Sequence, residues 1–187
     1  MKIAAIIGSI RQGAVGAQIG EWIASQAEAA TEGHEGVELE VVNLSDYDLP
    51  LFEGPVPPMA LEKNYDDERV TKWSQTIDAA DAFLFVTPEY NHSVPAPFKN
   101  AVDSLGAEWS NKVVGFVGYS SSSGVRAVEH WRQILANFQM VDVRNSVDIN
   151  LGAYLDSDGK FTPDEGTAGA LKNVVGEIAT LTAQLKK

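Results

Sequence analysis

Five short apolar runs alternate with segments of helical periodicity, and this alternation constrains the fold more than any other feature of the sequence. The run at residues 82–86 is entirely apolar, as in strands that are buried on both faces. The patterns predict strands over 2–7, 37–42, 82–86, 112–119 and 141–149, and helices over 19–30, 66–80, 98–105, 125–138 and from 162 or 164 to about 185. Such alternation predicts an α/β protein whose parallel sheet is covered by helices on both faces.

The order of the strands follows from the handedness of their connections. Right-handed crossovers leave few arrangements for five parallel strands, and strands of this length favour the order 2-1-3-4-5. This is the flavodoxin-like three-layer sandwich. The 187 residues show no internal repeat and no linker, so we expect residues 1–187 to form a single domain.

Charge and cysteine content exclude several classes of function. The formal net charge of -12 disfavours nucleic acid or an anionic membrane surface as a partner. The absence of cysteine excludes disulfides, zinc–thiolate sites and a thiol nucleophile. No apolar run approaches the roughly 20 residues that span a bilayer, and the apolar N-terminal stretch is too short for a signal peptide. We therefore expect a cytoplasmic protein.

A glycine-containing turn, residues 8–18, connects the first strand to the first helix. Backbone N–H groups at the start of a helix bind anions, and Ser9 and Arg11 add a hydroxyl and a guanidinium suited to phosphate. The turn matches neither G-x-G-x-x-G nor G-x-x-x-x-G-K-[ST], so a dinucleotide or triphosphate motif is not indicated. A phosphate monoester fits better. The alternative is a plain connection with an exposed arginine.

The stretch at residues 87–97 follows the third strand and contains three prolines. Proline restricts the backbone, so this loop is stiff enough to hold a flat face. We interpret it as the docking edge for the ring of a flavin. Backbone groups of Glu89, Tyr90 and Asn91 could bond the polar edge of the ring, with Tyr90 or Asn91 against its face. In the alternative interpretation Tyr90 fills the core, and an acid–base role for Glu89 with His92 is less favoured.

A third loop, residues 118–124, follows the fourth strand and is rich in serine and glycine. It could let a ligand approach the backbone closely, or it could be a flexible cap before the next helix. The three loops share one property, since each follows the carboxyl end of a parallel strand near the expected switch point of the sheet, where ligands bind. The three histidines show no metal-ligand spacing, and the turn at 156–159 lacks the ligand pattern of a calcium loop. We predict no metal site.

Three motifs together resemble the NADPH-dependent FMN reductase family, which is flavodoxin-like and includes quinone, azo-dye and chromate reductases. The motifs are Gly8-Ser9-Ile10-Arg11, then Pro88-Glu89-Tyr90-Asn91-His92-Ser93-Val94-Pro95 with Phe98-Lys99-Asn100-Ala101-Val102-Asp103, and Gly118-Tyr119-Ser120. The likeness extends over nearly the whole chain. It implies non-covalently bound FMN, NADPH or NADH as electron donor, and a homodimer or homotetramer with Lys99 and Asp103 near the subunit contacts.

The resemblance also assigns residues to the cofactor. Ser9, Arg11 and the turn with Val15, Gly16 and Gln18 would hold the phosphate; Pro88, Glu89, Tyr90 and Asn91 would hold the isoalloxazine ring; and Tyr119, Ser120 and Gly124 would line its other side. Many family members carry serine and asparagine where this chain has Ala14 and Gly16. Backbone N–H groups or Gln18 would replace those donors here.

The resemblance implies an enzyme that passes electrons from NAD(P)H through FMN to a quinone or a similar small acceptor by a ping-pong mechanism. The flavin would carry the chemistry, so no catalytic side chain is predicted. Three alternatives remain open, of which the first two are a flavin reductase that supplies reduced FMN to a partner monooxygenase and a non-enzymatic electron carrier. The serine- and threonine-rich phosphate loop of such carriers is not matched by residues 9–18. A third is a binding module in which the flavin is regulatory.

Overall fold

A computed structural model describes residues 1–186 and contains a sheet of five parallel strands in the order β2-β1-β3-β4-β5. The strands are β1 (Lys2–Ile7), β2 (Glu38–Asn43), β3 (Ala82–Pro88), β4 (Val113–Ser120) and β5 (Val141–Asn150). The predicted strand order is therefore confirmed. Residues of β3 are buried throughout because β1 and β4 flank it and helices cover both of its faces.

Six α-helices connect and cover the strands. They are α1 (Gly16–Thr31), α2 (Glu68–Ala79), α3 (Ala96–Asp103), α4 (Val125–Leu135), α5 (Leu151–Tyr154) and α6 (Glu165–Leu185). Helix α3 begins earlier than the apolar pattern predicted, since Pro97 is tolerated in the first turn of a helix. Helix α4 ends earlier, because residues 136–138 tighten into a 3₁₀ turn before Gln139, whose φ is 57°. The short α5 was missed because four residues show no periodicity.

Two hydrophobic clusters lie on opposite faces of the sheet. One contains the inner residues of α1 and α6, among them Ile19, Ile23 and Ile178. The other contains those of α2, α3 and α4, including the fully buried Trp73 and Trp131. This arrangement is the predicted three-layer sandwich. Within residues 1–186, no helix combines the length and apolar character needed to cross a membrane.

The long connection between β2 and α2 packs against the body of the protein. It includes 3₁₀ turns at Leu44–Asp46 and Pro58–Leu61. Its far end is held by Glu108, which is fully buried and accepts hydrogen bonds from Tyr65 Oη at 2.8 Å and Ser74 Oγ at 2.6 Å. This connection lies at the carboxyl edge of the sheet, where the predicted site also lies.

Candidate functional site

The loops that follow β1, β3 and β4 meet at the carboxyl edge of the sheet around a cavity of about 220 Å³. Seven predicted residues line it: Arg11, Val15, Pro88, Glu89, Tyr90, Tyr119 and Ser120. Ala14, Ser121 and Leu151 line it as well and were not predicted. The structure thus brings together the three loops that the strand order placed side by side.

The turn between β1 and α1 carries a set of donors with no acceptor of their own. Helix α1 begins without a side-chain cap, and the backbone N–H groups of Val15, Gly16 and Gln18 have no acceptor within residues 1–186. The side chain of Arg11 is exposed and makes no hydrogen bond or ion pair in the same part of the chain. Unpaired N–H groups at a helix start, next to a guanidinium, form an anion-binding site.

The side chain of Gln18 is used elsewhere. Its Nε2 donates to the Gly159 carbonyl oxygen at 3.0 Å, and its Oε1 accepts from the Phe161 backbone N–H at 2.8 Å. Gln18 thereby fastens the turn at 156–161 to the first turn of α1. Only its backbone N–H is left for a phosphate.

Tyr119 lies under the same turn. Its side chain is buried, and its Oη has no hydrogen-bond partner within residues 1–186. A Cβ placed on Gly16 would lie 2.5 Å from that oxygen, so glycine is required for the close approach of the turn to the ring. Burial raises the pKa of the Tyr119 hydroxyl, which is a neutral donor at physiological pH.

The loop after β3 is held by short-range contacts. Tyr90 and Ser93 exchange backbone hydrogen bonds at 3.0 and 3.1 Å around Asn91 and His92, whose φ angles are 50° and 67°. Positive φ at both central residues is the conformation of a type I′ turn, which tolerates asparagine and histidine. The exposed backbone N–H groups of Asn91 and His92 have no acceptor in the described part of the chain. Tyr90 Oη lies 2.7 Å from Ser9 Oγ, which joins this loop to the glycine-containing turn at residues 8–18, termed the phosphate turn below for its predicted ligand.

Glu89 joins the second loop to the third. Its side chain is only 4% exposed, and it accepts from Arg126 Nη1 at 2.6 Å, from Ser122 Oγ at 3.0 Å and from the Arg126 backbone N–H at 3.1 Å. Burial alone would raise the pKa of Glu89, but these hydrogen bonds and the charge of Arg126 outweigh it and hold the pKa below its ordinary value. The carboxylate also lies at the N-terminus of α4, where the helix dipole favours a negative charge.

Ser120 and Gly124 shape the third loop. Ser120 Oγ accepts from the backbone N–H groups of Ser122 at 3.0 Å and Gly124 at 2.9 Å. Gly124 has a φ of 72°, and a Cβ there would lie 2.5 Å from the Tyr119 nitrogen. Asn150, at the end of β5, donates to the Ser121 carbonyl oxygen at 3.1 Å and so brings Leu151 to the site. The position of Leu151 just after a strand is the one sequence signal that could have found it.

Comparison with known proteins decides the family. Residues 1–153 match the sequence profile of the NADPH-dependent FMN reductase family. The chain belongs to this family. An NAD(P)H-dependent FMN reductase of Schizosaccharomyces pombe is 34% identical over an alignment of 187 positions. The alignment covers 96% of this chain and 90% of that protein. An NAD(P)H:quinone oxidoreductase of Solanum tuberosum is 30% identical over an alignment of 201 positions, gaps included, which covers 100% of this chain and 95% of that protein.

A solved structure resembles the whole of this FMN reductase family member. FerB of Paracoccus denitrificans, a flavoenzyme NAD(P)H:(acceptor) oxidoreductase, superposes with a TM-score of 0.70 at 25% identity, covering 98% of this chain and 97% of that one. The predicted family, the flavodoxin-like fold and the function as an FMN-dependent NAD(P)H oxidoreductase are confirmed.

The residues of the site fit FMN. A phosphate monoester needs several donors, and the phosphate turn of this FMN reductase offers unpaired backbone N–H groups, a free guanidinium and the buried hydroxyl of Tyr119 that no protein atom satisfies within residues 1–186. A buried hydroxyl without a partner is costly, so its presence here points to a ligand oxygen that completes it. The type I′ turn after Tyr90 carries two further backbone N–H groups without an acceptor in the described part of the chain, those of Asn91 and His92.

A larger cavity, about 760 Å³, lies elsewhere in the enzyme. It is a broad polar groove between the end of α1, the start of β5 and α6. Lys172 in its wall is paired with Glu32, and Asp142 is paired with Arg132. No buried polar side-chain atom without a partner lies in its lining among residues 1–186. In the same residues, no group of histidine and acidic side chains is arranged to hold a metal ion.

Glu89→Gln is expected to destabilise the enzyme by about 1–2 kcal/mol at pH 7, because the carboxamide keeps the shape of the side chain but loses the charged hydrogen bonds. A carboxyl whose folded pKa lies below its ordinary value of 4.5 contributes stability above that pH, and the contribution is lost as the pH falls through the folded pKa. The deficit of the variant should therefore shrink below pH 4.5. Urea unfolding over a series of pH values from neutral to acidic measures it. Glu129→Gln is the control, since Glu129 is 62% exposed and pairs with Arg132, its neighbour on α4. An equal loss of unfolding free energy in both variants would contradict the stabilising role of the Glu89 carboxylate.

Proposed function

We propose that this FMN-dependent NAD(P)H oxidoreductase reduces a quinone or a similar small acceptor by a ping-pong mechanism. The proposal is supported by the meeting of two features within residues 1–186. One is a donor-rich turn with the unpaired Tyr119 hydroxyl beneath it, and the other is a stiff loop with unpaired backbone N–H groups at its middle. That pairing suits a cofactor with a phosphate at one end and a flat polar-edged ring at the other. No side chain with acid–base function is needed at such a site.

The proposed roles of the residues follow from their surroundings. Arg11, Ser9 and the N–H groups of Val15, Gly16 and Gln18 would hold the phosphate, with Tyr119 donating from below. Tyr90 and Asn91, with Pro88 behind them, would present the backbone to the ring. Glu89, Ser120 and Gly124 would act indirectly, since their contacts fix the shape of the loops.

Bound FMN would supply the two-electron chemistry by which a hydride equivalent of NAD(P)H reduces the acceptor. The overall reaction is NAD(P)H + H⁺ + quinone → NAD(P)⁺ + hydroquinone, and the second proton comes from water. The protein would orient the two substrates and hydrogen-bond to them, and they would occupy the same face of the flavin ring one after the other.

Steady-state kinetics tests this proposal against its alternatives. With NADPH and 2-methyl-1,4-naphthoquinone both varied, we expect parallel double-reciprocal lines and turnover that greatly exceeds the rate with free FMN as acceptor. A flavin reductase that supplies a partner monooxygenase would instead reduce and release added FMN faster than it reduces the quinone. No NAD(P)H oxidation with either acceptor would indicate a carrier or a regulatory flavin module.

We also propose that the enzyme is a cytoplasmic, single-domain protein that forms a homodimer or homotetramer. Besides Leu51, at 79%, the connection between β2 and α2 exposes three large apolar side chains that a second copy would cover: Phe52, Val56 and Met59, at 42%, 41% and 49%. Sedimentation velocity measures the assembly; a monomer at micromolar concentration would contradict it.

A further inference from the structure

A second cavity adjoins the proposed flavin site on the side of β2. It has a volume of about 350 Å³ and is bounded by the loop after β2, by Ile10 in the turn after β1, and by the first turns of α3. Its walls include Ile10, the neighbour of Ser9, and Pro97, the last residue of the proline-rich stretch at 87–97, which lies in the first turn of α3. In the strand order 2-1-3 this cavity therefore lies beside the flavin site, and the two cavities have no lining residue in common.

The walls of this cavity, which we term the β2-side pocket, suit a neutral apolar molecule. Six of its nine lining residues are apolar: Ile10, Leu44, Leu49, Leu51, Ala96 and Pro97. The others are Ser45, Asp48 and Asn100, so no cationic side chain of residues 1–186 lines it. The Asp48 carboxylate is solvent-exposed and lies 3.7 Å from Arg69 Nη1, so the apolar walls, and not a local charge, favour a neutral ring over an anion such as a metal oxyanion. The volume lies at the small end of the range for small-molecule sites.

One wall of the β2-side pocket depends on Asn100. Asn100 Oδ1 accepts from the Phe52 backbone N–H at 2.9 Å, and Asn100 Nδ2 donates to the Pro50 carbonyl oxygen at 2.8 Å. The carboxamide thus uses both of its ends on the segment that carries Leu51. Within residues 1–186, these are the only hydrogen bonds that tie residues 49–56 to the rest of the chain.

Leu51 needs such an anchor. Its side chain is 79% exposed, so packing alone does not fix it, and it separates the β2-side pocket from a neighbouring cavity of about 360 Å³. Asn100 itself is well fixed, because α3 buries Phe98, Ala101 and Val102 completely. A rigid helix therefore holds an otherwise loosely attached wall.

We propose that the β2-side pocket binds the apolar ring of a quinone-class acceptor, and that Asn100 is the positioning residue that holds its Leu51 wall. This inference rests on the proposed function, since it names the acceptor's place in that reaction. It favours quinones over metal oxyanions as substrates. Asn100 acts through the loop and has no contact with the reacting atoms in this account.

Kinetics of Asn100→Ala tests the role of the wall. We expect the KM for 2-methyl-1,4-naphthoquinone to rise about tenfold, which corresponds to the ordering that one or two hydrogen bonds supply. The kcat should stay within about twofold, as should the rate with ferricyanide, an anion that needs no apolar pocket. Asn100→Asp keeps an acceptor for Phe52 N–H, loses the donor to Pro50, and should give a smaller rise in KM.

Asn64→Ala is the matched control. Asn64 also donates to two backbone carbonyl oxygens, those of Leu61 and Glu62 at 3.1 Å each, but these lie within its own turn. We expect an unchanged KM for the quinone in this variant. An unchanged KM for the quinone in Asn100→Ala would overturn the inference, as would an equal loss of kcat/KM with quinone and with ferricyanide.

A binding experiment separates this inference from the proposed function. Methyl NMR of the protein without NAD(P)H should show shifts of Ile10, Leu49 and Leu51 on addition of 2-methyl-1,4-naphthoquinone, and smaller shifts in Asn100→Ala. Shifts without turnover would refute the proposed reaction but support the pocket. Turnover of the quinone without shifts at these methyl groups would refute the pocket and leave the proposed reaction intact.

Discussion

Replacing Gly124 by alanine is expected to lower the free energy of unfolding by about 3–4 kcal/mol. The φ angle of 72° costs a non-glycine residue about 1–2 kcal/mol. The new Cβ would also lie 2.5 Å from the Tyr119 nitrogen and 2.8 Å from the Gly118 carbonyl carbon. These are backbone atoms of β4, which cannot move without disturbing the sheet. Urea unfolding followed by circular dichroism measures the loss.

Gly36→Ala separates the two contributions. Gly36 has nearly the same φ, 70°, but a Cβ there would meet no atom within 4 Å among the described residues. Its substitution should cost only the conformational part, about 1–2 kcal/mol. Equal losses in the two variants would contradict the close packing of the third loop against β4.

Arg11→Met is expected to weaken FMN binding by about 10- to 100-fold. A charged hydrogen bond is worth about 1.5–3 kcal/mol, and the guanidinium of Arg11 has no other partner in the described chain. The side chain is exposed, so the substitution should leave the fold intact. Titration of FMN fluorescence against protein concentration gives the Kd.

Two controls assign that loss to the phosphate. Riboflavin, which lacks the phosphate, should bind wild type and Arg11→Met with the same Kd. Arg144→Met removes an exposed arginine that lines the 760 Å³ groove beside α6, and so changes the net charge equally. If Arg144→Met weakens FMN binding as much as Arg11→Met does, the effect comes from overall charge and the assignment of Arg11 is wrong.

Position in the sheet made the site predictable before any contact was known. The apolar runs identified the strands because β1, β3 and β4 are buried on both faces, and parallel strands direct their following loops to one edge. That reasoning alone brought Ser9, Tyr90 and Ser120 to a common site. The phosphate turn, however, contained no signal that Gln18 would be used by a turn 141 residues away.

Side-chain pairings across long stretches of chain were not predictable. Glu89 accepts a hydrogen bond from Arg126, 37 residues later, and Asn100 donates one to Pro50, 50 residues earlier. Such pairs depend on how the loops pack once the sheet has formed, and no periodicity records them. The shape of the loops in this enzyme therefore depends on long-range contacts that cannot be read from a single sequence. Their location follows from the apolar runs that identify the strands, and these can be read from it.

Whether this protein binds FMN and reduces it with NADPH is read from the visible spectrum of the purified protein, recorded with and without added FMN and then with anaerobic NADPH. We expect flavin absorbance that co-elutes with the protein on gel filtration and bleaches when NADPH is added. Protein that elutes without flavin even after incubation with excess FMN would contradict this expectation, because the phosphate turn and the loop after β3 would then hold some other ligand.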